Sequence, residues 1–269
     1  GKTNAGKSTF INSLVGEKIS IINKKINTTQ ESILGIKNFK DIQIVFYDTP
    51  GTNFLKTTNL TQKKLKTNLW QAIYEVDYLI YIVDVYKYDY QDVDHDILKI
   101  SEVKKPIIFV FNKIDKIENK KILSYIDELR HNKNIDNFFM ISAKYNDGID
   151  VILKFLNTNA YKSNWLFNSD IITNKDDIFI SNECTRNAIL DYIHQEIPYN
   201  VLIENKIFKF LKKNELKIKQ IIKIDNPRYK PIILGKNGET IKKIREKSQK
   251  EIGDILNCKI HLYLNIEVK

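Results

Sequence analysis

The chain opens with Gly1-Lys2-Thr3-Asn4-Ala5-Gly6-Lys7-Ser8, which matches the phosphate-binding loop pattern GxxxxGKS. Its glycines let the backbone bend so that successive N–H groups point at phosphate oxygens. We expect Lys7 to reach the β and γ phosphates and Ser8 to ligate Mg²⁺. A helix from Lys7 to about Leu14 would aim its positive dipole end at the same anion. The residues predicted to contact phosphate are Gly1, Asn4, Ala5, Gly6, Lys7, Ser8, Thr9 and Gly51.

Such a loop normally follows a buried β-strand, whereas this sequence begins at the first glycine of the loop. We therefore expect the first strand of the domain to be absent and the sequence to be a fragment. The composition is globular, with 42% hydrophobic and 28% charged residues in 269, which predicts two domains. No apolar run approaches the roughly 20 residues that cross a bilayer. Cys184 and Cys258 have neither metal-site nor disulfide spacing, which is typical of a reducing compartment.

Positive charge is concentrated near the C-terminus. Residues 199–269 contain 17 Lys and Arg against 8 Asp and Glu, a net charge of +9 out of +10 for the chain. Lysine, asparagine and isoleucine are abundant throughout, which is typical of an AT-rich genome, so single lysine pairs are not interpreted as sites. The regional excess nevertheless predicts an anionic partner for the C-terminal part.

Residues 1–160 alternate strand-like and helix-like segments, the pattern of a doubly wound, mostly parallel α/β sheet. Ligands of such sheets bind outside the carboxyl ends of the strands. The predicted strands are Ile33–Lys37, Gln43–Tyr47, Tyr78–Val83, Ile107–Phe111 and Phe138–Ile141. The predicted helices are Asn59–Tyr74, Asp92–Glu102, Asn119–His131 and Ile149–Asn157.

Two segments are predicted to sense the γ phosphate. The polar stretch that ends in Thr28 and Thr29 is a candidate first switch, in which a threonine hydroxyl completes the Mg²⁺ shell. Thr29 is preferred, and Thr28 is the alternative. The second switch is the DxxG sequence Asp48-Thr49-Pro50-Gly51, which directly follows a strand. Asp48 is placed to hold the metal through water, and the Gly51 N–H to bind the γ phosphate.

A further motif predicts the base. Asn112-Lys113-Ile114-Asp115 ends a buried strand with NKxD, and the Asp115 carboxylate suits the N1–H and N2–H₂ donors of guanine. Adenine would offer a lone pair instead, and a buried mismatch of that kind discriminates by about 10⁴ or more. Ser142-Ala143-Lys144 would complete the pocket, with the Ala143 N–H toward guanine O6.

The C-terminal part is predicted to be a second domain. Residues 161–180 are interpreted as a linker and residues 181–269 as an α+β domain. It would begin with a helix from Asn182 to Glu196, followed by extended segments Tyr199–Phe210 and Leu216–Ile224. Gly235-Lys236-Asn237-Gly238 then forms a GxxG loop before a basic amphipathic helix, which is typical of a KH RNA-binding module. The candidate RNA contacts are Gly235, Lys236, Asn237, Gly238, Lys242, Lys243 and Arg245.

Together these motifs resemble the bacterial-type Era GTPases over essentially the whole chain. That family joins a Ras-like G domain to a C-terminal type II KH domain. The resemblance implies GTP and GDP as ligands, Mg²⁺ as cofactor, and slow Mg-dependent hydrolysis. It also implies binding near the 3′ end of small-subunit ribosomal RNA and a role in small-subunit assembly. A monomer in the bacterial cytoplasm is expected, with peripheral membrane contact in some members and an organellar location as an alternative.

Two departures leave alternatives open. Gln30 stands where the family usually has Arg, and Thr52 where it has an apolar residue, so neither supplies the catalytic glutamine of Ras-like enzymes. A GTP-switched RNA-binding module with negligible hydrolysis is therefore one alternative. The other is the C-terminal half of a Der-type double GTPase, against which the intact GxxG argues. In similar GTPases an Asn at the place of Asn4 ligates K⁺, and we hypothesise the same here.

Overall fold

The computed structural model describes residues 1–16, 33–49, 73–130, 135–193, 197 and 201–268. They form two compact units, one of which ends at Asn174 while the other continues from Lys175. The first unit contains two sheets that are not hydrogen-bonded to each other within the described residues. Strands β1 (Ile33–Phe39) and β2 (Ile42–Asp48) pair antiparallel, and β3 (Leu79–Asp84), β4 (Ile107–Asn112) and β5 (Ile135–Ile141) are parallel.

In the described part of the first unit, the helices with defined bounds that pack on these strands are α1 (Lys7–Val15), α2 (Tyr90–Ser101), α3 (Asn119–Leu129) and α4 (Ile149–Thr158). Strand β4 is a continuous apolar run that is buried on both faces, as expected for a central parallel strand. Ile108 and Val110 join a core with α1 and α4. Phe109 and Phe111 point the other way, into a core with α2 and α3. This two-sided burial fixes the carboxyl end of β4, where NKxD begins.

The second unit is an α+β layer structure. Its elements are α5 (Asp177–Tyr192), β6 (Val201–Leu211), β7 (Glu215–Ile224), α6 (Tyr229–Leu234), α7 (Glu239–Leu256) and β8 (Lys259–Val268). The strand order is β6-β7-β8, with β6 antiparallel and β8 parallel to β7. Alternate residues of β7, such as Ile218 and Ile222, pack in the cores that also contain residues of α5 and α7. The prediction of an α/β unit followed by an α+β unit is confirmed.

Several element bounds differ from the predictions. Helix α5 begins five residues before Asn182, because the Asp176 side chain caps it by accepting from the Phe179 N–H at 2.7 Å. It ends at Tyr192 rather than Glu196. The short helix α6 was not predicted. The predicted helix Asn59–Tyr74 lies outside the described residues except at its end.

Part of the predicted linker packs on the first unit. The Ile36 N–H donates to the Ile172 carbonyl at 2.8 Å, and Gln43 bonds the backbone of Leu166 and Phe167. These contacts hold residues 166–172 along the β1–β2 hairpin. Within the described ranges, no helix combines the length and the apolar character needed to span a bilayer.

Candidate nucleotide site and RNA-binding loop

The phosphate loop is shaped by two residues in the left-handed region, Asn4 with φ 62° and Gly6 with φ 101°. Gly6 is required for a second reason, since a Cβ there would lie 2.1 Å from Asn112 Nδ2. That amide donates to the Ala5 carbonyl at 2.9 Å. The Asn112 side chain at the end of β4 therefore holds the loop in place. Helix α1 starts directly after Gly6.

Lys7 lies in the concavity of this loop. Its Nζ donates to the carbonyls of Lys2 at 2.8 Å and Gly1 at 3.2 Å. Burial disfavours the charged ammonium and lowers the pKa of Lys7 to about 8, although the nearby Asp48 carboxylate opposes the shift. A partly buried ammonium group at this place is suited to receive a phosphate anion.

Ser8 and Asp48 meet at the start of α1. The Ser8 hydroxyl donates to Asp48 Oδ2 at 2.7 Å, and Asp48 is buried at the end of β2. A hydroxyl and a carboxylate oxygen beside a phosphate loop are the hard donors that Mg²⁺ prefers, so the residues present fit this ion. Thr9 lies in the first turn of α1 and is partly buried, and Thr49 follows β2. Other predicted switch residues lie outside the described residues: Thr28, Thr29, Pro50 and Gly51.

The NKxD and SAK motifs are in contact at the ends of β4 and β5. Asn112 Oδ1 accepts from the backbone N–H groups of Lys113 at 2.8 Å and Ala143 at 3.0 Å. The Ala143 N–H is thus bound to Asn112, and contact with guanine O6 would require it to be shared. Asp115 is exposed, and its Oδ1 accepts from the Ser142 hydroxyl at 2.5 Å. Lys144 is exposed beside them.

Two residues of this site were missed by the sequence analysis. Asp84 Oδ2 accepts from Lys113 Nζ at 2.6 Å, while the same Nζ also donates to the Asn4 carbonyl at 2.8 Å. Asp147 pairs through its backbone with Ser142 and closes the SAK turn. The position of Asp84 at the carboxyl end of β3 was a usable signal, because ligand sites of parallel sheets gather at those ends.

In the second unit, the GxxG loop connects α6 to α7. Gly235 has φ 73° and ψ 178°, a region essentially restricted to glycine, and a Cβ there would lie 2.1 Å from Thr240 Oγ1. Gly238 has φ 79° and precedes α7, but a Cβ there would meet nothing within 4 Å. Lys236 and Asn237 are exposed between them. On α7, Lys242 and Lys243 are exposed, whereas Arg245 is partly buried.

The 50S ribosome-binding GTPase family matches residues 1–113, and the KH domain family matches residues 196–269. GTPase Era from Rickettsia typhi is 37% identical over the whole chain and 90% of its own length. GTPase Era from Ehrlichia ruminantium is 34% identical with the same coverage. The chain belongs to the Era family of GTPases.

Solved Era structures agree over the same extent. An Era in complex with MgGDPNP and nucleotides 1506–1542 of 16S ribosomal RNA is 32% identical, with a TM-score of 0.90. The match covers 91% of the chain in that structure. A point variant of Era from Aquifex aeolicus bound to GDP and aluminium fluoride is 31% identical, with a TM-score of 0.90, and is also covered over 91% of its chain. Both comparisons include all of this chain, so the Era resemblance extends across both units.

Proposed function

We propose that this Era-family GTPase binds and hydrolyses GTP in its first unit and binds the 3′ end of small-subunit ribosomal RNA through the GxxG loop. One observation supports the nucleotide assignment most directly: the Asn112 side chain bonds Ala5, Lys113 and Ala143. A single amide thus joins the phosphate loop to both base motifs. The solved Era complex with MgGDPNP and 16S ribosomal RNA supports both ligands for the family.

Each group has a distinct task in this proposal. Asp115 reads the guanine donors while Ser142 orients its carboxylate, and Lys113 is fixed by Asp84 for packing on the base. Lys7 and the loop N–H groups neutralise phosphate charge. When bound, Mg²⁺ supplies further positive charge at the β and γ phosphates, and Ser8 and Asp48 would hold it together with Thr29. Hydrolysis without a glutamine then depends on positioning and charge, which predicts a slow intrinsic rate.

Potassium is proposed as a second cation. Asn4 lies in the left-handed region at the rim of the phosphate loop, where its side chain is exposed. We expect faster hydrolysis in K⁺ than in Na⁺ and no difference between the salts for Asn4→Ala. Rates that are equal in both salts for the parent protein would remove the potassium site.

The cellular assignments follow the family resemblance. We propose a monomer that acts in small-subunit assembly in the bacterial cytoplasm, with peripheral membrane contact and an organellar location as further hypotheses. Small ribosomal subunits and their RNA are the proposed partners. Size-exclusion chromatography with light scattering tests the monomer, and co-sedimentation with small subunits tests the partner.

The central experiment separates the two activities. The double variant Lys236→Asp and Asn237→Asp should abolish binding to the 3′ end of 16S ribosomal RNA, because carboxylates repel phosphate. Its single-turnover GTP hydrolysis should equal that of the parent protein, since no nucleotide contact is changed. RNA binding that survives in this variant would overturn the GxxG assignment. Absence of hydrolysis in the parent, with and without RNA, would favour the GTP-switched binding module instead.

A further inference from the structure

The sheet of the second unit has a face that the proposed GxxG site does not use. Odd-numbered residues of β7 lie on the face opposite to the one that packs on α5 and α7. The register aligns Lys209 with Lys217 and, on the other side, Lys217 with His261. The next row aligns Ile207, Lys219 and Tyr263 in the same way. We call the part of this surface around Lys217 and Lys219 the open face, since Ile221 farther along β7 is buried, and the three residues Lys209, Lys217 and Lys219 the lysine cluster.

The lysine cluster concentrates positive charge that no carboxylate of the described ranges neutralises in a salt bridge. Lysines that lie directly opposite each other on neighbouring strands destabilise a sheet. Three carboxylates lie on the same face, those of Glu204, Glu215 and Glu267. Two of them are engaged elsewhere among the described residues. Glu215 bonds Lys259 at 2.9 Å and His261 at 3.0 Å.

The second carboxylate is Glu204, which bonds Lys223 at 2.7 Å and Lys206 at 3.0 Å. These partners hold the pKa of Glu204 below its usual range, with the Lys223 hydrogen bond as the largest cause. In the described part of the chain, none of the three carboxylates forms a salt bridge with the lysine cluster. An anion from outside the chain would therefore relieve the repulsion between Lys209 and Lys217.

An aromatic ring lies within the same surface. Tyr263 is 52% exposed, and Lys217 Nζ lies 5.8 Å from the centre of its ring. A ring that is exposed beside lysines on a sheet offers a stacking platform for an unpaired base, while the lysines neutralise neighbouring phosphates. Ile207, which is 38% exposed, adds apolar surface in the same row, on the other side of Lys219. Charge and stacking together fit single-stranded RNA better than a purely electrostatic partner.

We propose that the open face is a second RNA-binding surface, which holds single-stranded nucleotides beyond those clamped by the GxxG loop. This inference rests on the proposed RNA-binding function. The lysine cluster would neutralise two or three phosphates, and Tyr263 would stack on one base. Long RNA would then bind more tightly and with a steeper salt dependence than RNA that fills the GxxG loop alone.

The test uses the full chain and two single-stranded RNAs, one of about six nucleotides and one of about 30, since a GxxG loop clamps four. Lys209→Gln with Lys217→Gln should weaken binding of the long RNA about tenfold at physiological salt. It should also reduce the salt slope by about 1.4, or 0.7 for each phosphate that is no longer neutralised. Binding of the short RNA should stay unchanged. Tyr263→Ala should cost at least about fivefold for the long RNA, and Tyr263→Phe should not.

One control tests the effect of losing two positive charges elsewhere, and a second tests the stability of the variant. Lys104→Gln with Lys162→Gln makes the same charge change at two exposed lysines of the first unit and should bind both RNAs as the parent does. The melting temperature of the Lys209 and Lys217 double variant should equal or exceed that of the parent, because a like-charge pair is removed. Weakened binding of the long RNA by a variant of undiminished stability then supports the proposal.

The contrary outcomes are distinct. If the parent binds neither RNA, the proposed RNA-binding function itself fails. If the parent binds both and the lysine double variant matches the control on long RNA, only the open-face proposal is overturned. It is also overturned if that variant keeps long RNA but loses binding to vesicles that contain anionic lipid, because the surface would then be a membrane contact.

Discussion

At the scale of single residues, the base selectivity depends on the Asp115 carboxylate. Asp115→Asn should lose GTP affinity by about 10⁴ and gain affinity for xanthosine triphosphate, whose changed edge suits an amide. Competition binding with both nucleotides measures this exchange. Ser142→Ala is the matched control, because it removes only the hydroxyl that donates to Asp115. It should weaken GTP binding about tenfold without any gain for xanthosine triphosphate. Unchanged GTP binding by Asp115→Asn would contradict the guanine assignment.

The lowered pKa of Lys7 predicts that GTP binding depends on pH. Burial lowers the pKa of Lys7 to about 8. The negative charge of a bound phosphate raises this pKa again, so that the charged ammonium form is restored. At pH 6.5 the lysine is already almost fully protonated, so binding takes up essentially no proton through Lys7 there. At pH 9 binding should take up about 0.9 proton, and GTP affinity should fall as the pH rises further.

Calorimetry in two buffers of different ionisation enthalpy measures this proton uptake. At pH 9 the apparent binding enthalpy should differ between the buffers, and at pH 6.5 the difference due to Lys7 should vanish. Equal enthalpies at pH 9 would show that Lys7 stays protonated in the nucleotide-free protein.

At the scale of elements, the two glycines of the GxxG loop should respond differently to alanine. A Cβ at Gly235 would collide with Thr240 in a backbone region that alanine avoids, so Gly235→Ala should destabilise the second unit by about 3 kcal/mol or more. Gly238→Ala should destabilise the second unit by only about 1 to 2 kcal/mol, which is the cost of placing alanine in the left-handed region. Urea unfolding followed by circular dichroism compares them. Equal losses would indicate that the contact with Thr240 does not limit the loop.

Regular elements could be predicted well where one pattern dominated. Strand β4 is a run of apolar residues whose predicted and observed starts agree at Ile107. The start of α5 was placed too late because its Asp176 cap stood in a polar stretch that looked like linker. Helix α6 escaped prediction because it contains Pro231 and spans only six residues. Short helices have too little periodicity for a sequence pattern to show.

The sequence motifs indicated which strand ends carry the candidate site, but not the contacts among its residues. Asn112 and Ser142 were expected near the base from the strand ends that they follow. That Asn112 would also bond Ala5, 107 positions earlier, depends on how α1 packs on the sheet. The Asp84 contact with Lys113 depends likewise on the alignment of β3 beside β4. Such pairings arise from tertiary structure and leave no local signal.

At the scale of the whole molecule, GTP and RNA binding should be linked. If GTP changes the affinity for RNA, RNA must change the affinity for GTP by the same factor, typically about 5 to 150. Titration of each ligand with and without a saturating amount of the other measures both factors. Asp115→Asn should abolish the effect of GTP on RNA affinity while RNA binding itself persists. Unequal factors would mean that at least one titration did not reach equilibrium.

The three hydrogen bonds of the Asn112 side chain also determine when, during synthesis of the chain, the nucleotide site can form. Ala5 of the phosphate loop leaves the ribosome before Asn112, which follows 107 positions later. The Ala143 N–H follows 31 positions after Asn112. At about 5 to 20 residues per second, these 138 positions take about 7 to 28 s. A nascent chain should therefore remain unable to retain GTP until residues of β5 and the turn after it have emerged.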